Sequence, residues 1–163
     1  KLNTFVYNES VRRLNIGKLM DKRLTSLSGG ELQRVAITLA LSRDADLYLF
    51  DEPSAFLDVE QRLEFTSLLH SVITNSKKVC FIVDHDLVMI ELLAKKVMLF
   101  TGVSSVKGVA SSPMRKYEGM NNFLKRMNVT MRRDPDTLRP RINKPGSVKD
   151  REQREKGVFY EVL

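Results

Sequence analysis

The sequence predicts an α/β fold built on a parallel sheet, and three observations carry that prediction. Short apolar runs at 47–50, 79–83 and 97–100 are separated by longer segments of helical character at 59–74 and 87–94. Strands that alternate with helices in this way pair in parallel. The first run ends on Asp51-Glu52-Pro53, as a strand buried on both faces and stopped by a proline should. Just upstream, a Ser28-Gly29-Gly30 turn opens a stretch with apolar residues at helical spacing.

The elements follow in order. Residues 1–24 are helical in character, with Phe5, Val6, Val11, Leu14, Ile16, Leu19 and Met20 spaced for two short helices broken near Asn15 and Gly17. This segment has no phosphate-gripping P-loop. Its one Gly-Lys pair, Gly17-Lys18, is followed by Leu19 and has no glycine five residues before Gly17, so it cannot build the required backbone cradle. Leu32, Val35, Ala36, Leu39 and Ala40 fall at i, i+3, i+4, i+7 and i+8, which predicts a helix over about 30–43 with that stripe as its apolar face. Strands are expected at 47–50, 79–83 and 97–100, and helices at 59–74 and 87–94.

Beyond Gly102 the pattern changes. Residues 103–113 are rich in Ser, Gly and Val and read as a loop or hairpin, whereas Met120, Phe123, Leu124 and Met127 give 118–127 a helical packing face. Pro135, Pro140 and Pro145 push the residues before them out of helical geometry, so 130–147 should run extended. A charged helix is expected at 149–156 and a terminal strand at 158–163. The change of pattern divides the chain at 112/113.

With 163 residues and 42% hydrophobic content, the chain can bury a real core. No apolar run approaches the roughly 20 residues of a membrane span, and the N-terminus lacks signal-peptide layout. A cytoplasmic chain without a membrane partner is the expectation. The lone Cys80 lies in an apolar run and reads as a small buried hydrophobe. The net charge is +7, and it is unevenly placed: 14 basic against 13 acidic residues before position 113, and 13 against 7 after it. A basic tail of this kind suits an acidic partner or another part of the same protein.

Ligands of parallel α/β sheets sit outside the carboxyl ends of the strands. Asp51, at the end of the first run, therefore points toward a bound nucleotide and suits Mg²⁺, which needs few protein ligands. Its neighbour Glu52 is placed to orient or deprotonate an attacking water. His85, within Asp84-His85-Asp86, follows the next strand and can reach a terminal phosphate. Ser28, Gly29 and Gly30 offer free N–H groups and a hydroxyl to a phosphate, while Ser28 with Glu31 also fits a helix capping box.

These parts, in this order, resemble an ATP-binding cassette, a P-loop NTPase fold. Leu27-Ser28-Gly29-Gly30-Glu31 looks like its signature, 47–52 like its Walker B strand, 54–58 with Ser54 and Asp58 like its D-loop, and His85 like its switch histidine. The resemblance implies that Ser28, Gly29, Gly30 and Glu31 act in trans, on a nucleotide held by the opposite cassette. The chain then covers a partial domain lacking the P-loop strand, with a C-terminal hinge extension.

The tail narrows the resemblance further. Arg132-Arg133-Asp134-Pro135, Arg139-Pro140-Arg141-Ile142-Asn143-Lys144, Ser147, Asp150 and Glu152-Gln153 closely resemble the C-terminal hinge of the RNase L inhibitor family, the ABC subfamily E proteins that recycle ribosomes. Glu118-Gly119-Met120-Asn121 and Asp51-Glu52-Pro53-Ser54-Ala55-Phe56-Leu57-Asp58 agree with it. Asp84 departs from it, since a glutamate is expected before the histidine.

The resemblance implies soluble twin-cassette ATPases that split ribosomes as the cassettes close on ATP. Residues 1–112 would be the distal part of the second nucleotide-binding domain, and 113–163 its C-terminal helix and basic hinge. Arg132, Arg133, Arg139, Arg141 and Lys144 would face the hinge and RNA, with Arg139 and Arg141 mainly holding the hinge. The implied cofactors are ATP and Mg²⁺, with iron–sulfur clusters only in an N-terminal region outside these residues. Implied partners are ribosomal subunits and rRNA, a first cassette, and translation release and initiation factors. The isolated chain, lacking a P-loop, is expected not to hydrolyse ATP. Two alternatives remain: a non-catalytic, nucleotide-dependent interaction module, and a cassette of another soluble ABC protein or transporter, which leaves 130–153 unexplained.

Overall fold

Local chemistry sets several helix starts in the computed structural model, which describes residues 1–137 and 139–162. Helix α1, Thr4–Arg13, is capped by Asn3, whose side chain accepts from the Val6 N–H at 3.2 Å. Asn15 then takes a left-handed backbone, φ 52°, a conformation asparagine tolerates, and a short 3-10 turn follows at Ile16–Leu19. The expected break near Asn15 is present. Helix α2 spans Gly29–Ser42 and strand β1 spans Leu47–Asp51. Helix α3, Val59–Ser76, starts at Asp58, whose carboxylate accepts from the Gln61 N–H at 2.8 Å. Strand β2, Val79–Val83, and helix α4, Leu87–Leu93, complete a first compact unit, Lys1–Leu93.

Strands β1 and β2 pair in parallel, from Leu47 opposite Val79 to Asp51 opposite Val83. Because side chains alternate along a strand, Tyr48, Phe50, Cys80 and Ile82 share one face. That face meets Val6 of α1, Ile37 and Leu41 of α2, and Phe65, Leu68, Leu69 and Val72 of α3 in a single core. Phe50 and Phe65 stack edge to face with ring centres 6.0 Å apart. Full burial of one such side chain is worth roughly 1.5–3 kcal/mol. The buried Tyr48 keeps its hydroxyl bonded to the Arg43 carbonyl at 2.7 Å.

Two sequence expectations change here. The strands are not buried on both faces: Leu47, Leu49, Val79, Phe81 and Val83 are exposed, because no described layer of this unit covers that side. The apolar stripe of α2 is also rotated from the expected one, with Leu32 and Leu39 exposed and Ile37, Thr38, Leu41 and Ser42 buried. The hydroxyls make that possible. Thr38 Oγ1 donates to the Arg34 carbonyl at 2.9 Å and Ser42 Oγ to the Thr38 carbonyl at 2.6 Å, so neither is buried without a partner.

A second unit, Ala94–Leu163, is described by itself. Its strands are β3 (Lys96–Val97), β4 (Phe100–Val103), β5 (Lys107–Ala110) and β6 (Met114–Arg115). The strand expected at 97–100 is therefore divided. Val97 pairs antiparallel with β6, Met98 and Leu99 lie outside any strand, and Phe100 opens the β4–β5 hairpin, which falls mostly within the region read as loop or hairpin. Helix α5, Lys116–Arg126, follows directly, and a Cβ on Gly119 would lie 2.5 Å from the Val97 Cβ. Pairing and close packing thus join 94–112 to the tail, and the compact units divide at 93/94 rather than 112/113.

Strand β7 (Met131–Arg133) lies between β8 (Pro140–Ile142), antiparallel, and β9 (Tyr160–Glu161), parallel. Helix α6, Val148–Glu155, is capped by Ser147. Beneath this sheet the core is partly polar. Thr130 donates to Asp150 at 2.6 Å and accepts from Asn143 at 2.9 Å, while Gln153 donates to the Met131 carbonyl at 3.1 Å and accepts from Asn143. No described helix is long and apolar enough to cross a membrane.

Candidate active site

The carboxyl ends of β1 and β2 bring the acidic pair and the histidine together. Glu52 follows β1 directly in a left-handed conformation, φ 47°, which is uncommon for a non-glycine residue and marks local strain. Four contacts hold it. Its N–H donates to the Val83 carbonyl at 2.7 Å, its carbonyl accepts from Ala55 N–H at 3.1 Å and from Gln33 Nε2 at 3.4 Å, and its Oε1 lies 2.7 Å from His85 Nε2. Glu52 can only accept, so His85 carries its proton on Nε2 in this contact. Both side chains remain accessible, at 82% for His85 and 50% for Glu52.

Asp51 closes β1 with an exposed side chain. Among the described residues no group of three or more His, Cys, Asp or Glu could enclose a metal ion. A single carboxylate of this kind still fits Mg²⁺, which keeps several waters and leans on substrate phosphates.

The signature turn is a full capping box. Ser28 Oγ accepts from the Glu31 N–H at 3.3 Å, and Glu31 Oε2 accepts from the Ser28 N–H at 2.8 Å. Lys22 Nζ lies 2.8 Å from Glu31 Oε1. The Lys22 ammonium, and then the Ser28 N–H, hold the Glu31 carboxyl down to about 2. The N–H groups of Gly29 and Gly30 have no acceptor among the described residues, so the helix start presents two free donors beside the Ser28 hydroxyl. Phe56, also left-handed at φ 61°, brings its carbonyl against Gly30, where a Cβ would meet it at 2.8 Å.

The D-loop residues take different roles. Asp58 caps α3, whereas Ser54 is buried and bonded to Asp84. Several residues not singled out from sequence tie these parts together. Gln33 Nε2 reaches from α2 to the Pro53 carbonyl at 3.1 Å, Arg34 Nη1 donates to the Leu14 carbonyl at 2.6 Å, and Arg62 pairs with Asp86. The adjacency of two carboxylates to His85 was the one available signal.

The basic residues of the tail lie in the second unit and are described there alone. Arg132, Arg141 and Lys144 line a cavity of about 360 Å³ together with Ser147, Val148 and Lys149. Arg132 donates to Asn143 Oδ1, and Arg141 Nε lies 3.2 Å from Asp134 Oδ2. Arg133 belongs to β7, and the Arg139 carbonyl accepts from the Asp134 N–H at 2.9 Å. Asn143, Asp150 and Gln153, prominent in the tail motifs, are the buried polar core of this unit.

Comparison with known proteins agrees with this geometry. Residues 6–55 match a family model described as ABC transporter. The chain is 49% identical over 153 residues to "ABC transporter E family member 1" of Arabidopsis thaliana, covering 94% of this chain and 25% of that protein. It is 47% identical over 159 residues to "Translation initiation factor RLI1" of Saccharomyces cerevisiae, covering 98% and 26%. Among solved structures, the archaeal ribosome recycling factor aABCE1 in complex with the ribosomal stalk protein aP1 matches at TM-score 0.88 and 51% identity, covering 96% of this chain and 30% of that one. A model of ribosome-bound archaeal Pelota and ABCE1 matches at TM-score 0.90 and 48% identity, covering 96% and 26%. The chain spans about a quarter of the length of the curated relatives it matches.

Proposed function

Because the chain belongs to the RNase L inhibitor family, ABC subfamily E, we propose that it supplies one hydrolytic half of a twin-cassette ATPase that splits or recycles ribosomes. The single observation that carries this reading is the 2.7 Å contact between His85 and Glu52, at the carboxyl ends of adjacent parallel strands. Bound ATP with Mg²⁺ supplies the terminal phosphoryl group and the charge that screens it. This chain supplies the groups around it. Asp51 would hold the metal, and Glu52 would orient the attacking water and accept its proton on a carboxylate oxygen. His85, whose Nε2–H is given to Glu52 in this structure, can instead donate it to a phosphate oxygen, an electrostatic contribution. Ser28 with the Gly29 and Gly30 N–H groups receives the nucleotide of the opposite cassette.

The bare apolar face of β1 and β2 supports a larger nucleotide-binding domain around these residues. The chain contains no P-loop motif, so these residues alone turn over no ATP. Names of relatives point to ribosomal stalk protein and Pelota as partners of the family, and the basic cavity of the second unit suits an RNA phosphate or an acidic domain surface.

The test is Glu52→Gln in the complete protein. Amide for carboxylate removes the proton acceptor while keeping shape, so ATP binding persists and turnover falls by two orders of magnitude or more, about 10²–10⁴-fold for loss of a general base. The factor should then stay on a ribosomal subunit in ATP. Undiminished turnover would remove Glu52 from its role.

A further inference from the structure

Asp84 sits one residue before the histidine and thirty residues after the D-loop serine, yet it joins them. Its Oδ1 accepts from the Ser54 hydroxyl at 2.9 Å and from the Asp86 N–H at 2.9 Å, and its Oδ2 accepts from the Ser54 N–H at 3.2 Å. Ser54 is 4% exposed, so its hydroxyl has little access to water as a substitute partner. On the other side of His85, Asp86 pairs with Arg62, and Arg62 also donates to the Leu57 carbonyl at 3.0 Å. Asp86 in turn accepts from the Val88 and Met89 N–H groups, at 2.9 and 3.3 Å, and so starts α4. His85 is thus the middle residue of a turn whose two flanking carboxylates are both bonded to the segment 54–62.

The histidine itself is not packed. Among the described residues it is held by this turn and by Glu52, and its side chain is 82% exposed. Its position therefore follows the turn. A half-buried carboxylate with three hydrogen bonds, two of them to one buried serine, also leaves that turn little freedom to move apart from the D-loop.

We propose that Asp84 is a positioning residue that fixes His85 to Ser54, so that displacement of the D-loop moves the histidine relative to Glu52 and sets the rate of hydrolysis. This rests on the hydrolytic reading of Glu52 and His85. The three bonds of the Asp84 carboxylate go to Ser54 and Asp86. Its influence runs through the Ser54 bonds and the backbone of one residue.

The experiment is steady-state ATPase kinetics on the complete twin-cassette protein, comparing D84A, D84E, S54A and the double variant D84A/S54A, with E52Q as reference. D84A should lower kcat at least tenfold and leave KM for ATP within about twofold, since uniform nucleotide binding is not what the staple provides. S54A removes only one hydroxyl, which keeps the test available if D84A folds poorly, and should lower kcat about threefold. The double variant should match D84A, because both changes cut the same link. D84E keeps both oxygens one methylene further out and should restore most of the turnover, which a loss of general stability would not predict. Full turnover in D84A beside a stalled E52Q would overturn the positioning role alone, as would losses that multiply in the double variant. Full turnover in E52Q would overturn the hydrolytic reading, and the positioning role with it.

Discussion

Two adjacent glycines of the signature turn should respond oppositely to the same substitution. At Gly30 an added Cβ would stand 2.8 Å from the Phe56 carbonyl oxygen, a backbone atom that moves only if the D-loop moves. Phe56 is already left-handed at φ 61°, so the loop has little slack. Overpacking against such a neighbour costs about 1–3 kcal/mol, while replacing glycine by alanine in a helix returns up to about 1 kcal/mol. Gly30→Ala should therefore destabilise by about 1–2 kcal/mol. At Gly29 the added Cβ would meet Cγ and Cδ1 of the Phe56 ring at 3.3 Å. That ring is 78% exposed and can turn aside. Gly29→Ala should then be neutral, or stabilise by a few tenths up to about 1 kcal/mol through the unfolded chain. Urea unfolding of the paired variants measures the gap, expected at about 2 kcal/mol with G30A the weaker. ATP turnover of the complete protein should fall in G30A as the D-loop is pushed from the signature. A G30A variant as stable as G29A would refute the reasoning.

Asp150 is held down to about 2, against an ordinary 3.8, first by the Thr130 hydroxyl, then by the Gly146 N–H and the Arg154 guanidinium. The folded state binds this proton less tightly than the unfolded chain, so its contribution is complete above the ordinary value and lost as pH falls through about 2. Asp150→Asn should therefore be less stable than the parent at neutral pH, and the difference should shrink as denaturation is repeated toward pH 2; a pH-independent difference would contradict this. Burial pushes the Cys80 thiol up to about 11, so thiol reagents at pH 7 should label the half-buried thiol far more slowly in the folded protein than after denaturation, and equal rates would contradict this. Arg141 is committed to the Asp134 carboxylate, and the Arg139 carbonyl accepts from the backbone N–H of the same residue. Charge reversal at both should weaken cassette pairing more than RNA binding, and lost RNA binding with pairing intact would exclude the hinge role.

What could be read from sequence was local. The capping box of Ser28 and Glu31, the strand ending at Asp51 and the break at Asn15 each depend on residues within a few positions, and each is present. The stretch 130–147, expected to run extended, does so at Met131–Arg133 and Pro140–Ile142 but turns at 135–137 and 145–146, where the Asp134 carboxylate accepts from the Asp136 and Thr137 N–H groups in the first turn. The misread features depend on partners far along the chain. Thr38 and Ser42 count as polar in a periodicity, yet their hydroxyls return to carbonyls four residues back and the face they share is buried. Residues 97–100 look like one strand until 114–115 claims its first residue. Asp84 is the sharpest case. Its spacing places it at a strand end, where a shorter acid in place of the expected glutamate looks like a neutral change, but its bonds go to Ser54, thirty residues earlier. Motif spacing singles out the groups proposed to meet a nucleotide, because those groups sit at strand and helix ends that local rules determine. It does not identify the groups that keep them aligned, because alignment is a relation between ends. In this chain that relation runs through the two carboxylates beside His85, Asp84 to Ser54 and Asp86 to Arg62, so removing Asp84 should loosen the register between the Glu52–His85 pair and the D-loop.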